Sequence, residues 1–157
     1  RGYAHLMKTL LCFLISTTFI SSSALAAPSN KSRFIPLLKT MLGDYQVVTA
    51  NSPLCVDSQL SLINPVYPDA GFKLGEHIAF ESLHNGTRTT KKPNFCFVTS
   101  SYKYKSDGVD NSLKMSRCID PNNEKTIRQS IKFTSVTTLK YTQNTPAVEC
   151  TFARQVD

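Results

Sequence analysis

The chain is poor in the features that usually announce chemistry. No two cysteines fall within the C-x₂₋₄-C spacing of a structural zinc site, so a zinc knuckle or ribbon has no basis. No serine sits in a nucleophile elbow and no glycine-rich loop is present to cradle a phosphate, which removes the hydrolase and nucleotide-binding signatures. Basic residues are scattered, with Lys91-Lys92 the densest pair. That leaves no run suited to nucleic acid. No repeat, low-complexity tract or interdomain linker interrupts the chain. No apolar run reaches the roughly 20 residues of a membrane span.

The first positive signal is at the start. From Met7 the sequence reads "MKTLLCFLISTTFISSSALAAPSN". Lys8 supplies a basic n-region, Leu10 to Ile20 an apolar h-region broken by Ser and Thr, and Ala24-Leu25-Ala26 an A-x-A cleavage site. These parts in this order read as a secretory signal over residues 7–26, preceded by an upstream extension, 1–6, without a structural role. The expected location is secreted or periplasmic. Residues 27–33, "APSNKSR", are polar and expected to be disordered. Residues 34–157 are long enough for one domain with a real core. Losing Arg1 and Lys8 lowers the formal net charge of +7 by two. The mature surface is mildly basic, with at most a weak attraction to anionic envelope material.

Four cysteines lie beyond the leader: Cys55, Cys96, Cys118 and Cys150. An even count in an exported chain implies two disulfides, and three pairings exist. "CFVTSSYKYKSDGVDNSLKMSRC" reads as a hairpin turning near Asp107-Gly108, with Cys96 and Cys118 equidistant from residue 107. Geometry therefore favours Cys96 with Cys118, which leaves Cys55 with Cys150.

"FIPLLKTML" carries Phe34, Leu37, Leu38 and Met41 at helical spacing, with Pro36 suited to a first turn and Gly43 as a stop. Beyond it the apolar period is two. Leu60 and Leu62 alternate in "QLSLI". Phe72, Leu74, Ile78 and Phe80 share the even positions of "GFKLGEHIAF". Leu113, Met115 and Ile119 share a face, as do Ile127, Ile131 and Phe133, and then Val148, Cys150, Phe152 and Val156. Turn signals separate the runs, among them "HNGTRTTKKPN", which reads as a long polar loop. The spacing predicts an all-β fold. We expect an antiparallel up-and-down meander of seven or eight strands, closed or nearly closed into a barrel, with a short N-terminal helical turn. A Cys55–Cys150 bridge suits closure, because it joins the first and last strands.

The order of elements resembles the calycin-type barrels, the lipocalins and their bacterial relatives. These begin with a helical turn, then Gly-x-Trp on the first strand, and end with a late Arg or Lys over the tryptophan. Here Gly43-x-Tyr45 in "MLGDYQVV" and Arg154 in "TFARQV" would be the barrel-closing residues. The chain has no tryptophan, so Tyr45 stands in its place. The resemblance implies a small non-enzymatic binding protein holding an apolar or amphipathic ligand in the barrel mouth, since eight-stranded barrels can enclose one small ligand. It names no ligand-binding residue and no cofactor. The alternative is a secreted or envelope-associated interaction protein, such as an inhibitor, using loops on a disulfide-stapled scaffold.

Few residues invite a catalytic role. His77, Glu81 and His84 flank one strand, but His77 and Glu81 alternate onto one face and His84 does not, so they read as surface polar residues opposite Ile78 and Phe80. No catalytic or metal-binding residue is expected. Tyr102 and Tyr104 share a strand face with Lys103 and Lys105 opposite, which suits an amphipathic strand whose tyrosines cover the edge of the core.

Overall fold

The computed structural model describes residues 29–66, 70–91 and 96–156. The extension and signal segment expected over residues 1–26 lie outside them. The helix α1 runs Asn30–Thr40. It starts earlier than expected, so residues 30–33 are its first turn rather than a disordered tail. The cause is a cap: the Ser29 side chain accepts from the Ser32 N–H at 3.2 Å, and Ser32 Oγ donates to the Ser29 carbonyl at 2.7 Å. Such a cap satisfies donors that would otherwise be orphaned. The longer helix leaves Pro36 in its interior instead of its first turn.

Ten strands follow. They are β1 Gly43–Ala50, β2 Ser58–Ile63, β3 Ala70–Leu74, β4 Ile78–Ser82, β5 Thr87–Lys91, β6 Phe97–Tyr104, β7 Gly108–Ser116, β8 Lys125–Phe133, β9 Thr138–Asn144 and β10 Ala147–Arg154. The expected count of seven or eight is too low for two reasons. "GFKLGEHIAF" is a hairpin, not one strand: Gly75, at φ 63°, turns the chain so that Leu74 pairs with Ile78. "HNGTRTTKKPN" is not all loop, since Thr87–Lys91 pairs with β6. Two expected face positions also fall beyond strand ends, leaving Ile119 and Val156 exposed.

All ten strands form one antiparallel sheet in the order β4-β3-β2-β1-β10-β9-β8-β7-β6-β5. Taken as a ring, this is simply sequence order, with β1 paired to β10 (Tyr45 opposite Arg154) and a break between β4 and β5. The sheet is therefore not closed; β4 and β5 are its two edges.

The core lies on one face. Phe34 of α1 places its ring 6.2 Å from Phe72 of β3, 6.1 Å from Tyr104 of β6 and 6.2 Å from Phe133 at the end of β8. These strands are far apart in the sheet, so the sheet must curl around the helix for one side chain to reach all three. Leu38, Leu60, Leu74, Phe80, Leu139 and Phe152 complete the apolar centre. Each such side chain contributes about 1.5–3 kcal/mol by leaving water. Cys55, after β1, is bonded to Cys150 of β10 with Cα atoms 5.6 Å apart. Cys96 is bonded to Cys118. The β6–β7 register sets Phe97 opposite Ser116, and Arg117, at φ 51°, redirects the chain to bring Cys118 to its partner.

Candidate functional site

Gly43, Tyr45 and Arg154 meet at the junction of α1 with the β1–β10 ladder. Arg154 donates to the carbonyls of Thr40 and Leu42, both at 2.9 Å. Its guanidinium crosses Gly43, where a Cβ would sit 3.3 Å from Nε. Gly43 also holds φ 141°, a conformation that glycine adopts most readily. The Tyr45 hydroxyl donates to the Met41 carbonyl at 2.8 Å. Where the resemblance implied a stack on Tyr45, the guanidinium instead serves the carbonyl end of α1, which attracts cations. Burial raises the Tyr45 pKa, with the Arg154 charge opposing. These three side-chain hydrogen bonds all run to carbonyls of the chain itself.

The break in the sheet is different. After β4 the chain does not make a tight Asn-Gly hairpin. Leu83 and His84 turn inward, leaving 1% and 3% of their surfaces exposed, and only then does Asn85-Gly86 turn, with Gly86 at φ 69°. Two residues drawn into the interior splay β4 from β5, so no ladder forms between them. Side chains of β6 bridge the seam instead. His84 Nε2 lies 2.8 Å from Ser100 Oγ. The Tyr104 hydroxyl donates to the His84 carbonyl at 3.0 Å. Tyr102 hydrogen-bonds with the Ser82 backbone, and its ring meets the His84 imidazole edge-on at 4.9 Å. The expectation of His84 as a surface residue fails because the chain enters the core at that point. His77 and Glu81 are exposed, on the face of β4 opposite Ile78 and Phe80. The three residues differ in burial, with His77 and Glu81 exposed and His84 buried, and all three line one cavity.

Behind the seam lies a cavity of about 420 Å³. One wall is the odd face of β4, with Ala79 and Glu81; the other is the inner face of β5 to β8, with Val98, Tyr102, Asn111, Leu113 and Gln129. Burial raises the Tyr102 pKa above its usual 10.0; the Ser82 backbone bond lowers it, Glu81 raises it and Arg88 lowers it. The phenol is held neutral at physiological pH.

Asn111 and Gln129 of that wall belong to a chain of amides that the sequence reading did not single out; with Gln143 they also line a second cavity of about 520 Å³. Asn111 Nδ2 donates to Gln129 Oε1 at 3.4 Å. Gln129 Nε2 donates to the Tyr141 oxygen and to Gln143 Oε1, both at 3.1 Å. Tyr141 donates to Gln143 Oε1 at 2.8 Å. Burial raises the Tyr141 pKa, with the Gln129 bond opposing. Asn111 is 3% exposed, and its Oδ1 has no protein partner. A signal for this set existed. Asn111 sits in register with Val109 and Leu113, Gln129 with Ile127 and Ile131, and Gln143 with Leu139 and Tyr141. Polar residues in an apolar register depart from the pattern of a simple core.

Among the described residues no group of three or more His, Cys, Asp or Glu side chains could hold a metal ion, and no helix is long and apolar enough to cross a membrane. No family model matches the chain, and no curated protein or solved structure matches it.

Proposed function

We propose that this protein is a small exported binding protein that holds one small amphipathic molecule behind the β4/β5 seam and performs no chemistry on it. The observation that carries the reading is the seam cavity itself: a pocket of about 420 Å³ lined by apolar side chains together with Tyr102, Asn111 and Gln129. Ligand pockets combine apolar lining with a few placed polar groups. Tyr102 and His84 line the cavity, and Val98, Leu113 and Met115 give the lining its apolar part. The calycin-like order of elements supports the same reading, as do the leader-like N-terminus and the two disulfides for export.

Native mass spectrometry of the protein produced through an oxidising compartment, followed by denaturing extraction, tests it. A co-purifying small molecule at defined stoichiometry is expected. An apo mass that no library of small amphipathic molecules shifts would overturn the reading.

A second reading has one observation in its favour. All five residues of β5, "TRTTK", are exposed, and its seam-side edge lacks a ladder partner. Open edges accept strands from other chains, so the protein would bind an extended peptide there. A pull-down on envelope and secreted proteins that is lost on Thr89→Pro, with small-molecule binding intact, would favour this alternative.

A further inference from the structure

We infer that the outer face of β6 to β9 carries a second binding site, a trough across the strands that takes a stretch of an acidic polysaccharide bearing carboxylates. It is independent of the seam ligand, because the trough opens on the side of the sheet away from the core.

The ladders place it there. The cavity of about 520 Å³ is lined by three consecutive residues from each of four neighbouring strands. Tyr102, Asn111, Gln129 and Gln143 form its middle row, each in register with the next. Tyr104, Val109, Ile131 and Tyr141 share their strand parity and pack in the core. The residues flanking the middle row therefore point the other way, outward. Lys103, Asp110, Ser130 and Thr142 make one rim. Ser101, Ser112 and Arg128 make the other, continued by Asn144, whose Oδ1 accepts from the Arg128 backbone N–H at 2.6 Å. The backbone of the middle row is the floor between them. Four strands give the trough a length of about 14 Å.

The fold gathers charge that is scattered in the sequence. On this side of the sheet three lysines are neutralised: Lys105 by Asp110 at 2.9 Å, Lys132 by Asp107 at 3.4 Å and Lys140 by Glu149 at 2.8 Å. The Asp110 carboxylate also accepts from Ser130 Oγ at 2.8 Å, so the acid of the trough is already occupied. Lys103 and Arg128 are exposed on opposite rims and have no acidic partner among the described residues. Lys114, one outward row further along β7, extends the positive strip in the same state. An anion lying in the trough meets a cation on each side.

The neutral groups narrow the kind of anion. An arginine fork fits a carboxylate through two parallel hydrogen bonds. The Ser101, Ser112 and Thr142 hydroxyls and the Asn144 Nδ2 fit the uncharged oxygens of a sugar. The rims hold no aromatic or large aliphatic side chain. Tyr102, the aromatic residue of the floor, has its ring on the core side, 4.9 Å from that of His84. The stacking platforms of single-stranded nucleic acid sites and the apolar anchors of protein interfaces have no counterpart here.

The test titrates the disulfide-bonded protein with a short oligogalacturonate and with its methyl ester, which keeps the sugar and removes the charge. Amide NMR shifts and calorimetry follow both. The acid form is expected to bind, to shift amides of β6 to β9, and to weaken with added salt. Arg128→Gln should weaken it about tenfold, Lys103→Gln less, and Lys73→Gln on β3 not at all. All three positions are exposed, so each variant should keep the unliganded amide spectrum of the folded protein. Equal binding of the ester, or acid binding that Arg128→Gln leaves unchanged, would overturn the site, as would the absence of any amide shift at low salt. Poly-glutamate or a single-stranded oligonucleotide bound as tightly as the oligogalacturonate would overturn the polysaccharide assignment. Shifts confined to β4 and His84 would put the sugar at the seam and overturn the outer site.

Discussion

The two ends of the ring of strands are built by opposite means. Where β1 meets β10, a backbone ladder, a disulfide and an arginine spent on helix carbonyls hold the sheet together. Where β4 meets β5 there is no ladder, and two tyrosines and a histidine span the gap. Around the first junction the inner residues are Phe, Leu and Tyr; behind the second, Val98, Leu113 and Met115 are mixed with Asn, Gln, Ser and His. Stability and recognition have been given separate sectors of one sheet. A backbone ladder leaves no room for a guest, whereas side chains can bridge a gap and still line a pocket.

The largest test of that contrast is covalent. Loop-closure entropy assigns ~4.7 kcal/mol to a bridge of sequence separation 95 and ~3.4 kcal/mol to one of 22. The Cys55→Ser/Cys150→Ser pair should therefore lower stability in urea more than Cys96→Ser/Cys118→Ser does. The reverse order would break the assignment of stability to the β1–β10 sector.

Next comes packing. Phe152→Ala removes a fully buried ring of β10 and should cost about 3–5 kcal/mol. Leu113→Ala, beside the cavity and only partly buried, should cost much less, as a chemical denaturation series would show. Equal losses would mean that the two sectors share one core.

Arg154→Ala deletes two charge-assisted bonds to the end of α1 and should cost about 1–2 kcal/mol, with Arg154→Lys recovering part of it. Circular dichroism melts of both variants check this, and a loss no larger than at Lys103, an exposed control, would count against the junction as a structural device.

The subtlest effect is with pH. Tyr45, Tyr102 and Tyr141 all have raised pKa values, chiefly through burial. Their unfolded forms ionise first, so the stability they supply is complete below the ordinary value of 10.0 and is lost as pH rises through their folded values. Phenolate absorbance should show these three lagging behind exposed tyrosine. Ligand binding should delay Tyr102 further and leave Tyr45 unmoved, which sharpens the division between sectors.

Period-two alternation made the all-β class and most core positions legible, because one face of each strand is apolar and the other is not. Phe72, Leu74, Ile78 and Phe80 were correctly placed together in the core, yet the alternation ran through Gly75 and hid a hairpin. β5 escaped notice for the converse reason: "TRTTK" has no apolar face to betray it. The site was less visible still. His84 was read as a surface residue although strand parity sets it with Ile78 and Phe80 and apart from His77 and Glu81, and it is buried as they are. Asn111 and Gln129 occupied core registers in plain view, but a search for catalytic residue types passes over amides.

One consequence of the strand order concerns how the chain finds its shape. Among the described residues, eight of the nine ladders join strands adjacent in sequence and only β1 with β10 unites distant ones. Low-separation contacts form early, and distant ones must wait for a long loop to close. The meander β5 to β10 and the hairpins of β2 to β4 can assemble independently, and their union along β1 is the slow step. A circular permutant joined from residue 156 to residue 29 by a flexible Gly-Ser linker long enough to run the length of α1, and opened between Asn85 and Gly86, would keep every ladder and make all nine local. It should fold faster than the natural chain, with its new ends placed at the seam.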